Sequence, residues 1–472
     1  MIIDNHTICA PATNPGGALE IIRISGPQTL EILSRIFHIT STKYPPSTSC
    51  SEDHDIIKNL PANTIHHGII HTKEGDILDD VLVSIFRAPH SYTGEDAAEI
   101  SCHGSRYITN KVLELLIQHG CRMADPGEYT QRAYLNGKMD LSQAEAVADL
   151  IASTNAATHK MAMSQLRGNF SSDLSSLREQ LLKMTSLLEL ELDFSDHEDL
   201  EFADRSELLE LAKDIDGHIS KLTHSFETGN AVKQGIPVAI VGKTNVGKST
   251  LLNRFLHEEK AIVSSIHGTT RDIIEDSIQI NGITFRFIDT AGLRSTDDEI
   301  EQIGIERAYQ KMHEANIILW VVEEIPNYIE INTFKSHIKT NTLIIVKNKI
   351  DLYDSLKEQT VIDSVEDIPI IPVSAKYNTN IDRLEEYIFQ TANIPVIHQN
   401  DVIVTSARHY QALLHAQEDI KRVISGLQNN LSGDLLAEDL NLCIEQLSAI
   451  TGGAITPEET LQNIFSHFCI GK

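Results

Sequence analysis

The sequence predicts a multidomain α/β protein, and four observations support this prediction. A chain of 472 residues is long enough for roughly two to four separate hydrophobic cores. Strand-like and helix-like segments alternate from residue 236 to about residue 392, which is typical of a doubly wound, mostly parallel sheet. Helix-rich segments flank this part, from residue 140 to about 228 and again after Pro395. The region before residue 138 mixes strands and helices, which indicates an α+β domain.

The charge balance limits the partners of the chain. The sequence has 39 basic and 67 acidic residues, and its formal net charge is −28. Proteins that bind nucleic acid regardless of sequence rely on Lys and Arg to neutralise phosphates. We therefore expect any nucleic-acid substrate to require a local basic patch or a basic partner protein.

The cysteines and the hydropathy pattern indicate the compartment. Six cysteines are scattered without a C-x-x-C pair or metal-ligand spacing, which is typical of reduced thiols rather than of a disulfide framework. The first residues lack a basic segment followed by an apolar one, and no apolar run approaches the length of a membrane span. We expect a soluble, cytoplasmic protein without membrane contact.

The first part of the chain contains two clear strand patterns, at residues 21–24 and 81–86. A helix is predicted over residues 107–119, with Gly120 directly after it. Two segments, residues 92–96 and 126–133, mix turn-forming residues with charges. We interpret both of them as capped helix starts.

The helical part carries an apolar seam. Its members recur at intervals of three and four residues, which predicts packing on other helices: Leu174, Leu177, Leu181, Met184 and Leu188. The next stretch, residues 189–210, has ten carboxylates opposed only by Arg205. We interpret it as an exposed connection, and a partner-docking surface is the alternative.

A glycine-rich segment indicates a phosphate site. Residues 242–249, Gly-Lys-Thr-Asn-Val-Gly-Lys-Ser, follow a β-like apolar run and precede a helical one, as in a phosphate-binding loop. The backbone N–H groups of such a loop and the helix N-terminus form a concave anion site. In this arrangement Lys248 reaches the β- and γ-phosphates, and the hydroxyl of Ser249 ligates Mg²⁺.

Further motifs complete a guanine-nucleotide site. An Asn-Gly hairpin turn at residues 281–282 leads to Asp289, which can hold Mg²⁺ through water, and to Gly292, whose N–H can sense the γ-phosphate. A switch threonine of residues 269–272 would complete the metal shell. After the strand at residues 343–346, Asp351 can accept two hydrogen bonds from guanine, whereas adenine has no such pair of donors. Together these motifs predict a GTPase whose nucleotide site comprises Asn245, Val246, Gly247, Lys248, Ser249, Thr250, Ser264, Thr269, Thr270, Asp289, Thr290, Ala291, Gly292, Asn348, Lys349, Asp351, Ser374, Ala375 and Lys376.

One position departs from the common pattern of small GTPases. Leu293 follows Gly292 where many relatives carry the Gln that orients the attacking water. An aliphatic side chain cannot orient water, so hydrolysis requires another water-positioning group and another source of positive charge. The carboxylates nearby in the sequence are Asp297, Asp298, Glu299 and Glu301.

These motifs, together with shorter ones, resemble a known family. The additional pieces are residues 13–17 with 23–26, 91–96, 126–128, 135–138 with 140–141, and the final Phe-Cys-Ile-Gly-Lys at 468–472. The chain resembles the tRNA-modifying GTPase family MnmE, also called TrmE, along essentially its full length.

The resemblance implies four segments. They are an N-terminal α+β tetrahydrofolate-binding and dimerisation domain (1–137), a first helical part (138–232), a Ras-like P-loop GTPase domain (233–396) and a second helical part (397–472). The two helical parts form one discontinuous bundle domain, and apolar residues from Leu413 to Leu427 can pack against the seam. The implied ligands of the folate derivative, 5-formyl- or 5,10-methylene-tetrahydrofolate, are Arg23, Glu99, Lys138 and Lys472. Cys469 is either a nucleophile near the folate or a buried structural thiol.

The resemblance also implies how hydrolysis is catalysed. A K⁺ ion takes the place of an arginine finger, GTPase domains dimerise across it, and its ligands correspond to Asn245, Ser264, Ile266 and Thr269. Mg²⁺ is held by Ser249 and Thr270. Glu301 corresponds to the carboxylate that orients water, and Lys248 completes the catalytic set. Thr244 stands where the family usually has Pro, which removes no ligand.

The reaction implied by the resemblance is a tRNA modification. The family places an aminomethyl-type group, most often carboxymethylaminomethyl, on C5 of the wobble uridine of certain tRNAs. It does so as a homodimer in a heterotetramer with an FAD-dependent partner, MnmG or GidA, which would supply the basic surface for tRNA. The alternative is an Era-like GTPase switch that binds RNA or ribosomes without modification chemistry.

Overall fold

The computed structural model describes most of the chain. The described residues are 5–40, 56–73, 75–193, 205–257, 277–288, 313–336, 338, 342–352, 363–365, 367–395, 397–398, 400–453, 458–466, 468 and 471. Half of the predicted acidic connection, at 194–204, lies outside them.

The first part of the chain is an α+β arrangement around a seven-stranded sheet, whose strand order is β3-β4-β5-β6-β2-β1-β7. Leu33, Ile36 and Leu116 from the helices pack with Ile22, Val83 and other buried side chains of the sheet in one hydrophobic core. The elements are β1 (Ile8–Pro11), β2 (Leu19–Ser25), α1 (Thr29–Ile36), β3 (Phe37–Ile39), β4 (Thr64–His71), β5 (Ile77–Phe86), β6 (Ala97–His103), α2 (Arg106–Gln118), β7 (Arg122–Met123) and α3 (Glu128–Leu135).

The predicted strands and helix of this part are confirmed, but one interpretation was wrong. Residues 92–96 do not start a helix; they form the bend that leads into β6. Residues 126–133 do start α3, yet its N-cap residue is Gly127 in the left-handed region, at φ 69°, and no side chain caps the helix. In the first segment Thr93 and Glu95 bond to Ser25, which is distant in sequence. In the second segment Glu128 accepts from Arg122, from the N–H of Asp125 and from Arg132, all within six positions.

Four helices follow: α4 (Leu141–Ala152), α5 (Ala156–Leu166), α6 (Asn169–Asp193) and α7 (Arg205–Gln234). The predicted seam lies on α6, and all five of its side chains are buried. Its main partner is a helix late in the chain, at residues 433–451, rather than the predicted one around Leu413 to Leu427. A seam of period three and four specifies a helical partner but not which one.

The central part is the predicted doubly wound sheet. Its order is β13-β14-β12-β11-β8-β10-β9, and the pairs from β10 to β14 through β8, β11 and β12 are parallel. The elements are β8 (Ile236–Val241), α8 (Lys248–His257), β9 (Ser277–Ile280), β10 (Ile283–Ile288), β11 (Ile317–Val322), α9 (Tyr328–Lys335), β12 (Thr342–Lys347), β13 (Asp363–Val365), β14 (Ile368–Pro372) and α10 (Ile381–Thr391). The carboxyl ends of the parallel strands β8, β11, β12 and β14 lie at one edge of the sheet. Ligands of doubly wound sheets bind at this edge.

The last part is helical again: α11 (Ala407–Gln428), α12 (Gly433–Thr451) and α13 (Glu458–Ser466). Helix α12 packs on α6. Leu461 and Phe465 of α13 pack with Leu141 and Ala144 of α4. Among the helices that the structure describes, none combines the length and apolar character that crossing a membrane requires.

The chain divides into two compact units. The first comprises Met1–Ile151, Gln165–Ala212 and Glu418–Lys472, and the second comprises Ala152–Ser164 and Lys213–Gln417. The first unit therefore contains the α+β part and the α6–α12 pair, and the second contains the doubly wound sheet. The four-segment division predicted from the sequence stays a prediction.

Candidate functional site

The phosphate loop joins β8 to α8 in a conformation that requires glycine at two positions. Gly242 has φ 150° and Gly247 has φ 97°. A Cβ at Gly242 would lie 2.2 Å from the carbonyl oxygen of Val321, and one at Gly247 would lie 2.2 Å from Nδ2 of Asn348. Asn245, between them, is exposed and left-handed at φ 62°, a conformation that Asn tolerates better than most residues.

Lys248 begins α8 and bends back over the loop. Its Nζ donates to the carbonyl oxygens of Gly242 and Lys243, both at 2.7 Å. Burial lowers the pKa of Lys248, because a desolvated ammonium lacks the stabilisation that water supplies. A phosphate oxygen in the loop would restore that stabilisation, so the donor and its surroundings fit a phosphate group.

Asn348 connects the phosphate loop with the base loop, residues 374–376. Its side chain is buried, at 2% exposure. Its Nδ2 donates to the carbonyl oxygen of Val246 at 2.9 Å, and its Oδ1 accepts from the N–H of Ala375 at 3.1 Å. The amide thereby satisfies two backbone groups that belong to different loops.

The residues that the sequence predicts for the guanine pocket make contacts at this edge of the sheet. Lys349 donates from Nζ to the carbonyl oxygen of Asn245 at 2.6 Å and also contacts the carboxylate of Glu323. Ser374 donates from Oγ to Oδ1 of Asp351 at 2.5 Å. The serine therefore orients the carboxylate that would accept the two guanine donors.

A hairpin precedes the predicted metal-binding motif. Strands β9 and β10 pair across Asn281 and Gly282, whose φ values are 50° and 78°, as an Asn-Gly turn requires. Asn155 caps α5 by accepting from the N–H of Thr158 at 2.8 Å and donates from Nδ2 to Thr284 of β10 at 2.8 Å. The second of these hydrogen bonds fixes the strand whose next residue is Asp289.

A second candidate site lies on the α+β sheet. Arg23 donates from Nε and Nη2 to Oε1 of Glu99, and from Nη1 to the carbonyl oxygen of Gly471 at 3.1 Å. The guanidinium is also 5.7 Å from the ring centre of Tyr92 and 5.6 Å from that of Tyr129. A planar cation held between two rings and a carboxylate has a defined orientation.

The chain around Gly471 is anchored to the same sheet. Gly471 is buried and has φ 91°, and a Cβ there would lie 2.2 Å from the carbonyl oxygen of Pro11. Phe468 is buried beside Phe465, and Gly127 leaves space for both. These contacts place residues 468 and 471 at fixed points, and of the predicted motif it is Gly471 that adjoins the Arg23–Glu99 pair.

Lys138 is held near the loop that carries Tyr92. Its Nζ donates to the carbonyl oxygen of Pro89 at 2.8 Å. Gly94 has φ 80°, and a Cβ there would lie 3.4 Å from Cγ and Cδ of Lys138. The structure thus brings Arg23 and Glu99 into contact, whereas Lys138 bonds to the neighbouring loop.

Comparisons with known proteins identify the family of the chain. A family model described as the MnmE helical domain matches residues 141–469, and one described as the N-terminus of the GTP-binding protein TrmE matches residues 7–138. The protein named tRNA modification GTPase MnmE in Phocaeicola vulgatus is 53% identical, with 100% of both chains covered. The protein of the same name in Bacteroides thetaiotaomicron is 52% identical, again over 100% of both. The chain belongs to the MnmE family.

Membership of the MnmE family makes this chain an enzyme that hydrolyses GTP. Among solved structures, the FeoB G-domain from Methanococcus jannaschii is 24% identical and covers 33% of this chain and 96% of its own, with a TM-score of 0.25. That score is too low to support an argument about fold. The assignment therefore depends on the family match and on the geometry of the phosphate and base loops.

Several predicted residues of the MnmE pattern lie outside the part of the chain that the structure describes. They are Ser264, Ile266, Thr269, Thr270, Asp289, Thr290, Ala291, Gly292, Leu293, Asp297, Asp298, Glu299, Glu301, Cys469 and Lys472. Their roles stay predictions. Within the described residues, no group of three His, Cys, Asp or Glu side chains is arranged to hold a metal ion.

Four residues at these sites were missed by the sequence analysis. Glu323 directly follows β11, and a charged residue at the end of a parallel strand was a signal that could have identified it. Tyr92 and Tyr129 lie in motifs that were interpreted as helix starts. Arg254 of α8 donates to the carbonyl oxygens of Ala375 and Lys376 in the base loop; it belongs to no motif, and no signal in the sequence identifies it.

Proposed function

We propose that this chain is a K⁺-activated GTP hydrolase that acts with the flavoprotein MnmG (GidA) to place (carboxymethyl)aminomethyl groups on C5 of the wobble uridine of certain tRNAs. The observation that carries the proposal is the contact of Arg23 with both Glu99 and Gly471. It gives a GTPase a second polar site that nucleotide binding alone does not require.

In the nucleotide site, residues of this chain bind the phosphates and orient the groups that contact the base. The loop N–H groups and Lys248 bind the phosphates, and Asp351 reads guanine through the oxygens that Ser374 orients. Asn348 holds the two loops at a fixed separation. GTP hydrolysis then drives a cycle of domain association and opening rather than the transfer of carbon.

The metal ions fit the donors that the described residues offer. Asn245 presents an exposed side-chain amide beside the phosphate loop, and an amide oxygen is a suitable ligand for K⁺. Ser249 lies in the first turn of α8, where a hydroxyl can ligate Mg²⁺. When bound, K⁺ would supply the positive charge at the transition state that an arginine finger supplies elsewhere. Ser264, Ile266, Thr269 and Thr270 are proposed as the remaining ligands.

The folate derivative fits the second site by its chemistry. Its pterin ring has N–H donors that match the carboxylate of Glu99, and its glutamate carboxylates match Arg and Lys side chains. We propose Arg23, Glu99, Lys138 and Lys472 as the residues that hold 5-formyl- or 5,10-methylene-tetrahydrofolate, which supplies the one-carbon unit.

The homodimer is supported by the exposed face of the α+β sheet. Leu19, Ile65 and Leu82 are 66%, 68% and 48% exposed. The strand register places them on the same face as Arg23 and Glu99. A second copy on this face would cover apolar surface and adjoin the folate pair.

The tetramer with MnmG is supported by charge. At a net charge of −28, the chain needs a basic partner to hold tRNA. The alternative function, an Era-like switch on RNA or ribosomes, requires the nucleotide site but not the Arg23–Glu99 pair.

Modified-nucleoside analysis of tRNA from cells that lack this protein tests the proposal. We expect loss of the C5 modification of the wobble uridine, restored by the wild-type chain but not by a Glu99→Gln variant. Intact modification in the deletion strain would favour the switch.

A further inference from the structure

Arg254 links the phosphate helix to the base loop. It lies on α8, which begins at Lys248, and its side chain is half-buried. Its Nε donates to the carbonyl oxygen of Ala375 at 3.2 Å, and its Nη2 donates to that of Lys376 at 2.9 Å. The guanidinium therefore holds two consecutive carbonyl groups of one loop, a geometry that its planar fork suits.

Ala375 is held from two directions. Its carbonyl oxygen accepts from Arg254, and its N–H donates to Oδ1 of Asn348 at 3.1 Å. The residue is buried, at 1% exposure. Both backbone groups of Ala375 are therefore satisfied by side chains of the chain itself, and these contacts hold the loop from two sides.

We propose that Arg254 is a positioning residue for guanine nucleotides, which preorganises the base loop and couples it to the phosphate helix. This inference rests on the proposed nucleotide site. A loop that is ordered in advance costs less conformational entropy when the nucleotide binds. The same helix carries Lys248 at its start, so Arg254 transmits the position of the phosphate loop to the base loop.

Arg254→Ala is expected to raise the Kd for GDP about tenfold, because it removes two hydrogen bonds from a charged donor. Most of this loss of affinity is expected to come from faster dissociation of GDP. Arg254→Lys keeps the charge but not the fork, and its Kd is expected to fall between those of Arg254→Ala and the wild type. The ratio of the Kd values for IDP and GDP should stay unchanged, since Asp351 and not Arg254 reads the 2-amino group.

The experiment uses the full chain with fluorescent GDP and competing unlabelled GDP and IDP, and measures Kd and dissociation rate. Arg35→Ala is the control, because Arg35 is an exposed arginine of α1 whose guanidinium donates to Glu31, far from the nucleotide site in sequence. If circular dichroism shows that Arg254→Ala does not fold, the Kd of Arg254→Lys for GDP decides whether Arg254 has the positioning role.

Three outcomes would overturn the proposal. A GDP affinity in Arg254→Ala equal to that of Arg35→Ala would exclude the positioning role. If Arg254→Ala is unfolded, a Kd for GDP in Arg254→Lys equal to that of the wild type would also exclude the positioning role. If the wild type binds no guanine nucleotide, the nucleotide site itself fails and the inference fails with it, an outcome distinct from the first two.

Discussion

Arg23 donates two hydrogen bonds to the same oxygen of Glu99, from Nε at 2.9 Å and from Nη2 at 2.8 Å. The second carboxylate oxygen is left outside this pairing. Both side chains are partly exposed, at 19% and 28%. The ion pair is therefore oriented by Arg23, yet a ligand can still reach it, which suits recognition better than a purely structural contact.

Glu99→Gln is expected to weaken binding of 5-formyl-tetrahydrofolate by about tenfold or more, because the hydrogen bonds of pterin N–H groups to a charged acceptor are lost. Isothermal titration calorimetry measures this affinity. The basal GTPase rate should not change. Glu31→Gln, which removes an exposed carboxylate beside Arg35, is the control. Equal affinities in the two variants would remove Glu99 from the proposed site.

Asp351→Asn is expected to change the selectivity of the nucleotide site from guanine to xanthine. The amide oxygen can keep the hydrogen bond from Ser374, but the new NH₂ group faces the guanine 2-amino donor and suits the xanthine carbonyl oxygen instead. GDP affinity should fall about 100-fold or more, and XDP affinity should rise. Titrations with both nucleotides measure this change, with the exposed Asp382→Asn as the control. Unchanged GDP affinity would contradict the base-reading role.

The GTPase rate is expected to depend on K⁺ rather than Na⁺ at equal ionic strength. Asn245→Gly should lower the K⁺-stimulated rate by about tenfold or more, since a fixed charge at the transition state is lost. Glycine is chosen because it retains the left-handed backbone of Asn245, at φ 62°. Asn430→Gly, at φ 53°, is the matched control. Equal rates in the two salts would exclude the K⁺ site.

Glu128 is expected to stabilise α3 in a pH-dependent way. Burial raises the pKa of Glu128, but hydrogen bonds from Arg122, the N–H of Asp125 and Arg132 outweigh it and hold the pKa below its ordinary value of 4.5. Since the folded-state pKa is depressed, the stabilisation is present above pH 4.5 and is lost as the pH falls through the folded-state value.

Glu128→Gln should therefore lower the opening free energy of α3 by about 2 kcal/mol at pH 7, because buried Arg132 loses one charged hydrogen-bond partner and keeps the other, Glu95. Hydrogen exchange of the α3 amides measures this change locally. The difference from wild type should shrink in acid below pH 4.5. Glu114→Gln, an exposed carboxylate paired with Lys111, should have little effect. A constant difference across pH would contradict the assignment to Glu128.

The elements that follow local rules were predictable from the sequence. The phosphate loop is dictated by where glycine is required, and the hairpin by Asn281 and Gly282. The seam on α6 follows from the spacing of its apolar residues alone. Its partner, α12, does not, because side-chain spacing specifies an apolar face and not the helix that covers it.

The segments that sequence reasoning misassigned are held by distant residues. In residues 92–96, Thr93 and Glu95 bond to Ser25, 68 and 70 positions away. Arg132 also bonds to Glu95, over 37 positions. Arg254 reaches acceptors 121 and 122 positions away. No local pattern encodes such contacts, because the fold decides which residues meet.

The contact between Arg23 and Gly471 joins residues 448 positions apart. A nascent chain can fold its α+β sheet early, since domains generally fold as units while synthesis proceeds, but it cannot close this contact until residue 471 has been made. A product that stops short of residue 471 would keep every phosphate-binding residue and lack the carbonyl that Arg23 holds. Such a fragment could still hydrolyse nucleotide although its site around Arg23 and Glu99 is incomplete. The Arg23–Gly471 contact therefore forms only in chains whose translation has passed residue 471.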